Sequence, residues 1–194
     1  MKSIESIQIP TLYGEFNMFA YGSGFPDFPH LMLVSKEIDL NKAVNVRIHS
    51  ECLTGDLFAS MKCECGEQLK YAMKYISVNK GILLYLRQEG RGIGLINKMK
   101  AYRLQQAGLN TIEANVALGF HADLRDFTVA IEMLKDYGVK KVNLLTNNPE
   151  KIKSFENSGI TVMKRLSIEM APLKENENYL MVKKNEMGHF LRKV

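Results

Sequence analysis

The sequence predicts one α/β domain, of α+β character, over residues 1–194: a mixed β-sheet with a β-rich N-terminal part and flanking helices. Three observations predict it. Up to about residue 50 the chain reads as short extended segments separated by turn residues. Beyond that point, brief apolar runs alternate with segments whose apolar residues recur at helical spacing. And 194 residues, 46% hydrophobic and 24% charged, supply one sizeable core.

The elements follow in order. Thr11 to Phe19 alternates about a turn at Gly14, and Tyr21 to Pro29, rich in Gly and Pro, reads as a loop. His30 to Ser35 and Ala43 to His49 read as strands. Leu69, Ala72, Met73 and Ile76 share one helical face, and Gly81 to Leu86 suits a buried strand. Leu95, Met99 and Tyr102 continue helically, with Gly108 as the stop. Asp123 is placed as N-cap, with Asp126 three residues on, for a helix carrying Phe127, Ala130, Ile131 and Leu134 and ending near Gly138. Val142 to Leu145 is a strand. Asn148 caps a helix from Pro149 to Asn157, and Ile160 to Met163 is the next strand.

Composition excludes several classes. There is no apolar run of about 18 residues, so no membrane-spanning helix is expected. The start, Met1-Lys2-Ser3-Ile4-Glu5-Ser6, lacks the apolar core of an export signal, and the expected compartment is the cytoplasm. A net charge of +5 suits nucleic acid, a membrane surface or a small polyphosphate. No block of five Lys/Arg residues occurs, and no aromatic stacking platform accompanies the basic residues. Neither nucleic acid nor membrane is therefore the expected partner.

The three cysteines, Cys52, Cys63 and Cys65, are confined to one short stretch. An odd number without an export signal argues against a disulfide framework. Thiolates favour zinc among common cellular ions. A structural zinc site closes with four protein ligands, whereas a catalytic one keeps a position open for water. The spacing leaves three readings: a catalytic zinc on three cysteines, a structural zinc completed by a histidine (His49 being nearest), or no metal. Three thiolates would leave a zinc site net negative, and Arg47 and Lys62 are cations near in sequence.

Two strand-to-helix turns suit an anion. In Arg87-Gln88-Glu89-Gly90-Arg91-Gly92-Ile93-Gly94, three glycines permit close backbone approach and two arginines add charge. Leu145-Thr146-Asn147-Asn148-Pro149-Glu150-Lys151 also opens a helix at the end of a strand. Tight packing and ordinary capping explain the same residues without a ligand. Arg125, at the positive end of the helix expected after it, asks for an anionic partner, a carboxylate or a phosphate.

Together these segments resemble the GTP cyclohydrolase II family. The matching stretches are Arg47 to Asp56, Cys63 to Leu69, Arg87 to Leu95, Asp123 to Thr128, Leu144 to Pro149 and Met187 to His189, within a likeness running from about residue 7 to 191. The resemblance implies a zinc on Cys52, Cys63 and Cys65 with water as fourth ligand. It implies hydrolysis of GTP to a diaminopyrimidinone ribosyl 5′-phosphate, formate and pyrophosphate, the first step of riboflavin biosynthesis. It assigns Arg47, Ile48, His49, Ser50, Glu51, Gln68, Glu89, Gly90, Arg91, Thr111, Thr146 and Lys151 to GTP, with magnesium on the triphosphate. It makes Asp123 the proton acceptor, Arg125 a nucleophile toward the α-phosphate, and Tyr102 a group near the zinc for the second hydrolysis. A guanidinium stays protonated and has no free lone pair, so a charge clamp on pyrophosphate is the simpler role for Arg125. Tyr102 also fits as a core residue on the Leu95/Met99 face. Leu124 and Lys62 depart from frequent family residues without touching an assigned role. The resemblance further implies a homodimer, and the chain is too short for the second riboflavin-precursor domain, so the monofunctional form is expected.

Competing readings are a zinc nucleobase deaminase, an RNA-binding module and a repurposed or inactive relative. His49-Ser50-Glu51 matches the deaminase His-x-Glu element, but Cys63-x-Cys65 lacks the required Pro-Cys-x-x-Cys. Product analysis separates an active enzyme from an inactive relative.

Overall fold

A computed structural model describes residues 1–22, 28–121 and 123–194. The loop expected over 21–29 falls largely on 23–27, outside the described residues. The chain forms two compact units, interleaved in sequence. The first comprises residues 1–49, 69–87 and 127–168, and the second 50–68, 88–126 and 169–194.

The first unit carries a seven-stranded mixed sheet. Its strands are β1 (Ser3–Thr11), β2 (Gly14–Tyr21), β3 (His30–Ser35), β4 (Val44–Ser50), β5 (Gly81–Leu86), β6 (Lys141–Leu145) and β7 (Thr161–Leu166). Their order is β1-β2-β3-β5-β4-β6-β7. β1–β2, β2–β3 and β3–β5 pair antiparallel, while β4–β6 and β6–β7 pair parallel. β5 is apolar along almost its whole length and buried, as befits a central strand, whereas edge strand β1 is mostly exposed.

Helix α5 (Thr128–Asp136) lays Ala130, Ile131, Met133 and Leu134 into one core with Val46, Ile48, Ile82, Leu84, Val142 and Leu144. Each of the larger side chains contributes about 1.5–3 kcal/mol by leaving water. Beyond the ends of β6 and β7, Asn147 continues the pairing by side chain: Nδ2 donates to the Ile168 carbonyl at 2.7 Å and Oδ1 accepts from the Ile168 amide at 3.1 Å. Asn148 caps α6 (Pro149–Lys153), its Oδ1 accepting from the Glu150 amide at 2.9 Å with Pro149 in the first turn. α6 is shorter than expected. The chain turns after Lys153, and Asn157 and Gly159 take positive φ.

The second unit is helical: α1 (Leu53–Asp56), the start of α2 (Cys65–Asn79), a 3-10 turn (Glu89–Gly92), α3 (Gly94–Gln106), α4 (Thr111–Ala117) and α7 (Glu177–Asn185). Three expectations need correction here. On α3, Met99 is 57% exposed while Lys98 and Ala101 are buried, so the Leu95/Met99/Tyr102 stripe is not its buried face. α4 was not expected, although Asn110 and Glu113 form a reciprocal capping box at its start. Asp123 is not an N-cap: the following helix begins at Thr128, with Phe127 in the capping position. Arg125 therefore lies upstream of that helix rather than in its first turn, and the dipole conflict inferred from sequence disappears.

Candidate metal centre and active-site residues

The cysteine segment folds back on itself. Cys52 precedes the single turn of α1, Cys63 ends the following loop, and Cys65 opens α2. This brings the three Sγ atoms within 4.8 Å of one another, with Cys52 and Cys63 3.6 Å apart. Zn–S bonds of about 2.3 Å in a tetrahedron set sulfurs about 3.8 Å apart, so the cluster fits one zinc. Among the described residues no histidine, aspartate or glutamate joins it. His49 is buried in the first unit, its ring stacked on Tyr85 at 5.6 Å. Three protein ligands with a fourth position open is the pattern of a catalytic rather than a structural zinc.

Two glycines make this convergence possible. A Cβ on Gly55 would sit 3.0 Å from Cys63 Sγ and 3.3 Å from Cys52 Sγ, while one on Gly66 would sit 2.2 Å from the Gly55 carbonyl oxygen. The second contact is with backbone, which cannot step aside. Gly66→Ala is expected to destabilise the protein by about 1–3 kcal/mol, read as a lowered Tm, and to weaken metal binding with it. A cavity of about 360 Å³, bordered by Cys63 and both glycines, is otherwise largely apolar, with Met61, Met170 and Leu173 in its wall.

The cation serving the thiolates is Lys98, a residue that sequence reasoning missed. Its Nζ donates to Cys52 Sγ at 3.1 Å and to Glu89 Oε1 at 2.8 Å. Glu89 closes the ring by accepting from the Leu53 amide at 2.6 Å and the Gly90 amide at 2.8 Å. Burial works against charge on Lys98, but the Cys52 thiolate and Glu89 outweigh it and raise its pKa. Cys52 is the most acidic of the thiols, because Cys63, Cys65 and then Lys98 stabilise its thiolate against burial. The same sharing pushes Cys63 up to about 11 and Cys65 well above the usual thiol range. Of the cations named from sequence, Lys62 lies 5.5 Å over the Tyr102 ring, and Arg47 in the first unit donates to the Leu145 carbonyl at 3.1 Å.

Lys98 Nζ lies 5.7 Å from the ring centre of Tyr102. Burial pushes its hydroxyl up to about 12, so the phenol is a proton-bearing donor at neutral pH. Asp123 and Arg125 form a side-on pair: Nε donates to Oδ1 at 2.9 Å, Nη2 to Oδ2, and the Arg125 amide to Oδ1 at 3.1 Å. The carboxylate partner foreseen for Arg125 is thus its own neighbour. Burial opposes both charges, yet each holds the other ionised, Asp123 shifted down and Arg125 up.

In the glycine-rich turn Gly90, Arg91, Gly92 and Gly94 all take positive φ, and only Arg91 does so with a side chain that disfavours it. Packing accounts for part of it, since a Cβ on Gly92 would meet Leu124 at 3.1 Å, and the Leu124 amide donates to the Arg91 carbonyl at 3.0 Å. Gly94 has open space. Gln68 Nε2 reaches Glu64 Oε1 at 3.4 Å, and Thr111 opens α4. Ser50 and Glu51 lead from β4 to Cys52, with Ser50 Oγ buried and lacking a hydrogen-bond partner.

In the first unit, the ends of parallel strands β4 and β6 gather Arg47, Ile48, His49, Thr146 and Lys151. Lys151 Nζ donates to the Ile48 carbonyl at 2.8 Å, and Thr146 Oγ1 accepts from the Asn148 amide at 3.0 Å. All except Ile48 are buried polar or charged groups, at the edge where open α/β sheets place ligands.

A family model described as GTP cyclohydrolase II matches residues 2–167. The riboflavin biosynthesis protein RibBA of Endomicrobium trichonymphae is 46% identical over 195 residues, which takes in 100% of this chain and 48% of that protein. RibBA of Staphylococcus saprophyticus is 50% identical over 185 residues, 95% of this chain and 47% of that protein. The chain thus spans about half the length of the curated relatives it matches. Among solved structures, it is similar to RibBX, a two-domain 3,4-dihydroxy-2-butanone 4-phosphate synthase from A. baumannii, with a TM-score of 0.49 and 19% identity, over 87% of this chain and 40% of that one. No helix among the described residues is long and apolar enough to cross a membrane. With a family match over most of its length and three cysteines gathered where one metal ion fits, the chain belongs to the GTP cyclohydrolase II family.

Proposed function

We propose that this chain hydrolyses GTP to a 2,5-diamino-6-(5-phosphoribosylamino)pyrimidin-4-one, formate and pyrophosphate, the opening step of riboflavin biosynthesis, in the cytoplasm and as a homodimer. The observation that carries the proposal is the convergence of Cys52, Cys63 and Cys65 with no fourth protein ligand among the described residues, in a member of this family. When bound there, one catalytic zinc per chain supplies Lewis acidity toward water at neutral pH. Two waters are consumed at C8 of the guanine, opening the imidazole ring and then releasing formate. A third is consumed between the α- and β-phosphates.

The chain's own residues divide the remaining work. Lys98 neutralises the excess charge of three thiolates around a divalent ion. Tyr102, held neutral, donates to water or to the formamide oxygen. Asp123 stays ionised, the state a proton acceptor needs and the state that keeps Arg125 protonated. Arg125 is accordingly a charge clamp on the leaving pyrophosphate and not a nucleophile. Arg47, Ile48, His49, Ser50, Glu51, Gln68, Glu89, Gly90, Arg91, Thr111, Thr146 and Lys151 are the proposed contacts to GTP, whose triphosphate carries magnesium.

The decisive experiment incubates the zinc-loaded protein with GTP and magnesium and follows formate, pyrophosphate and the pyrimidine by mass spectrometry. Release of both small products supports the proposal, and no turnover would sink it in favour of an inactive GTP-binding relative. For the clamp, Arg125→Ala is expected to lower kcat by about 10²–10³-fold and Arg125→Lys to recover at least about tenfold of that loss. Equal loss in both variants would count against a clamp.

A further inference from the structure

Every residue assigned so far lies at or before Lys151, yet helix α7 reaches the centre of the second unit. Glu64 stands between two of the metal ligands and is 6% exposed. Its Oε1 accepts from Lys183 Nζ of α7 at 2.7 Å, and the two side chains are only 6% and 11% exposed. One turn earlier on α7, the Tyr179 ring carries two cations: Lys183 Nζ lies 4.4 Å from its centre and Arg91 Cζ 5.8 Å. A buried ion pair yields little net stability over an apolar pair of the same shape, and its best-attested use is to fix one arrangement. What this pair fixes is the turn that points Cys63 and Cys65 at a common centre. Groups that orient metal ligands typically alter metal affinity when removed.

We propose that α7 is a positioning element of the metal centre, with the Lys183–Glu64 pair setting the Cys63–Cys65 turn and the Tyr179 face seating Arg91. The first half rests on the metal-centre reading above, and the second on Arg91 contacting GTP. Neither residue touches the reacting atoms, so both act through others.

The test uses the full chain and four variants: Lys183→Met, Lys183→Arg, the double variant Glu64→Gln/Lys183→Met, and Tyr179→Leu. Zinc affinity is measured by competition with a chromophoric chelator, and geometry by the visible spectrum of the cobalt-substituted protein. Lys183→Met and the double variant are each expected to bind zinc about 10–100-fold more weakly, with an altered thiolate-to-cobalt band. The double variant removes both charges together, so an unpaired buried carboxylate cannot account for its loss. Lys183→Arg restores affinity to within about threefold of the parent, because the ion pair survives. Tyr179→Leu keeps zinc affinity and raises KM for GTP about fivefold.

Unchanged affinity and cobalt spectrum in both Lys183→Met forms would overturn the first half, and an unchanged KM in Tyr179→Leu the second. Failure of Lys183→Met to fold even in excess zinc would also overturn the first, since the pair would then brace the whole unit. Absence of GTP turnover in the parent chain would sink the proposed function, and the second half with it, leaving metal affinity to decide the first half.

Discussion

Cys63→Ser is expected to lower GTP turnover by on the order of 10³-fold or more and to remove tight zinc binding. The magnitude follows from losing a Lewis acid that contributes several kcal/mol to the transition state, at about 1.4 kcal/mol per decade of rate. Cys63 is the sulfur with most to lose. It lies 3.6 Å from Cys52 Sγ, and Gly55 packs closest against it of the three sulfurs. A serine oxygen there is shorter, harder and protonated at neutral pH, so it neither reaches nor replaces the thiolate. The checks are metal content after dialysis against a chelator, then formate and pyrophosphate release with zinc in excess. Formate release near the parent rate would exclude the cluster as the hydrolytic centre.

Lys98→Met is expected to have the next largest effect. Methionine keeps the length and loses the charge, so packing on α3 is largely preserved. Cys52 loses its cationic donor, and zinc affinity is expected to fall about 10–100-fold. Glu89, about as buried as Lys98, is left without its cation, and breaking a buried pair from one side costs about 3–5 kcal/mol. A marked drop in Tm should therefore appear even in the metal-free protein. The variant Lys98→Met/Glu89→Gln separates the two effects: it should regain Tm and not zinc affinity. Recovery of both would mean that Lys98 serves the fold and not the thiolates.

Much of this architecture is legible in the sequence, for identifiable reasons. Strands such as His30–Ser35 and Gly81–Leu86 are central and apolar, so their pattern survives without context. The start of α6 and its cap are written locally in Asn148 and Pro149, whereas its end is not. The cysteine cluster is legible because cysteines are scarce and confined to one short stretch. What escapes is held by non-local charge pairing. A buried lysine reads as a solvated one, and α3 turns its lysine inward because a thiolate and a carboxylate wait there. Glu64 and Lys183 are unremarkable apart and a pair only in the fold. Arg125 is half legible: its charge asks for an anion, which the fold supplies as Asp123, a residue whose place before a helical stripe instead suggests a cap. α4 shows a signal present and unread, since Asn110-x-x-Glu113 is a capping box before a segment of weak apolar pattern.

The separation along the chain of the groups at the metal centre has a kinetic consequence. Cys52 and Cys63 are 11 residues apart, whereas Glu64 and Lys183 are 119 apart. Closing the longer loop costs about 2 kcal/mol more in chain entropy, and its encounter is correspondingly late. During synthesis the thiols emerge well before the lysine that steadies their turn. A nascent chain can thus capture the ion in a loose grip and tighten it afterwards, so that metal loading and the final docking of α7 become successive events in maturation.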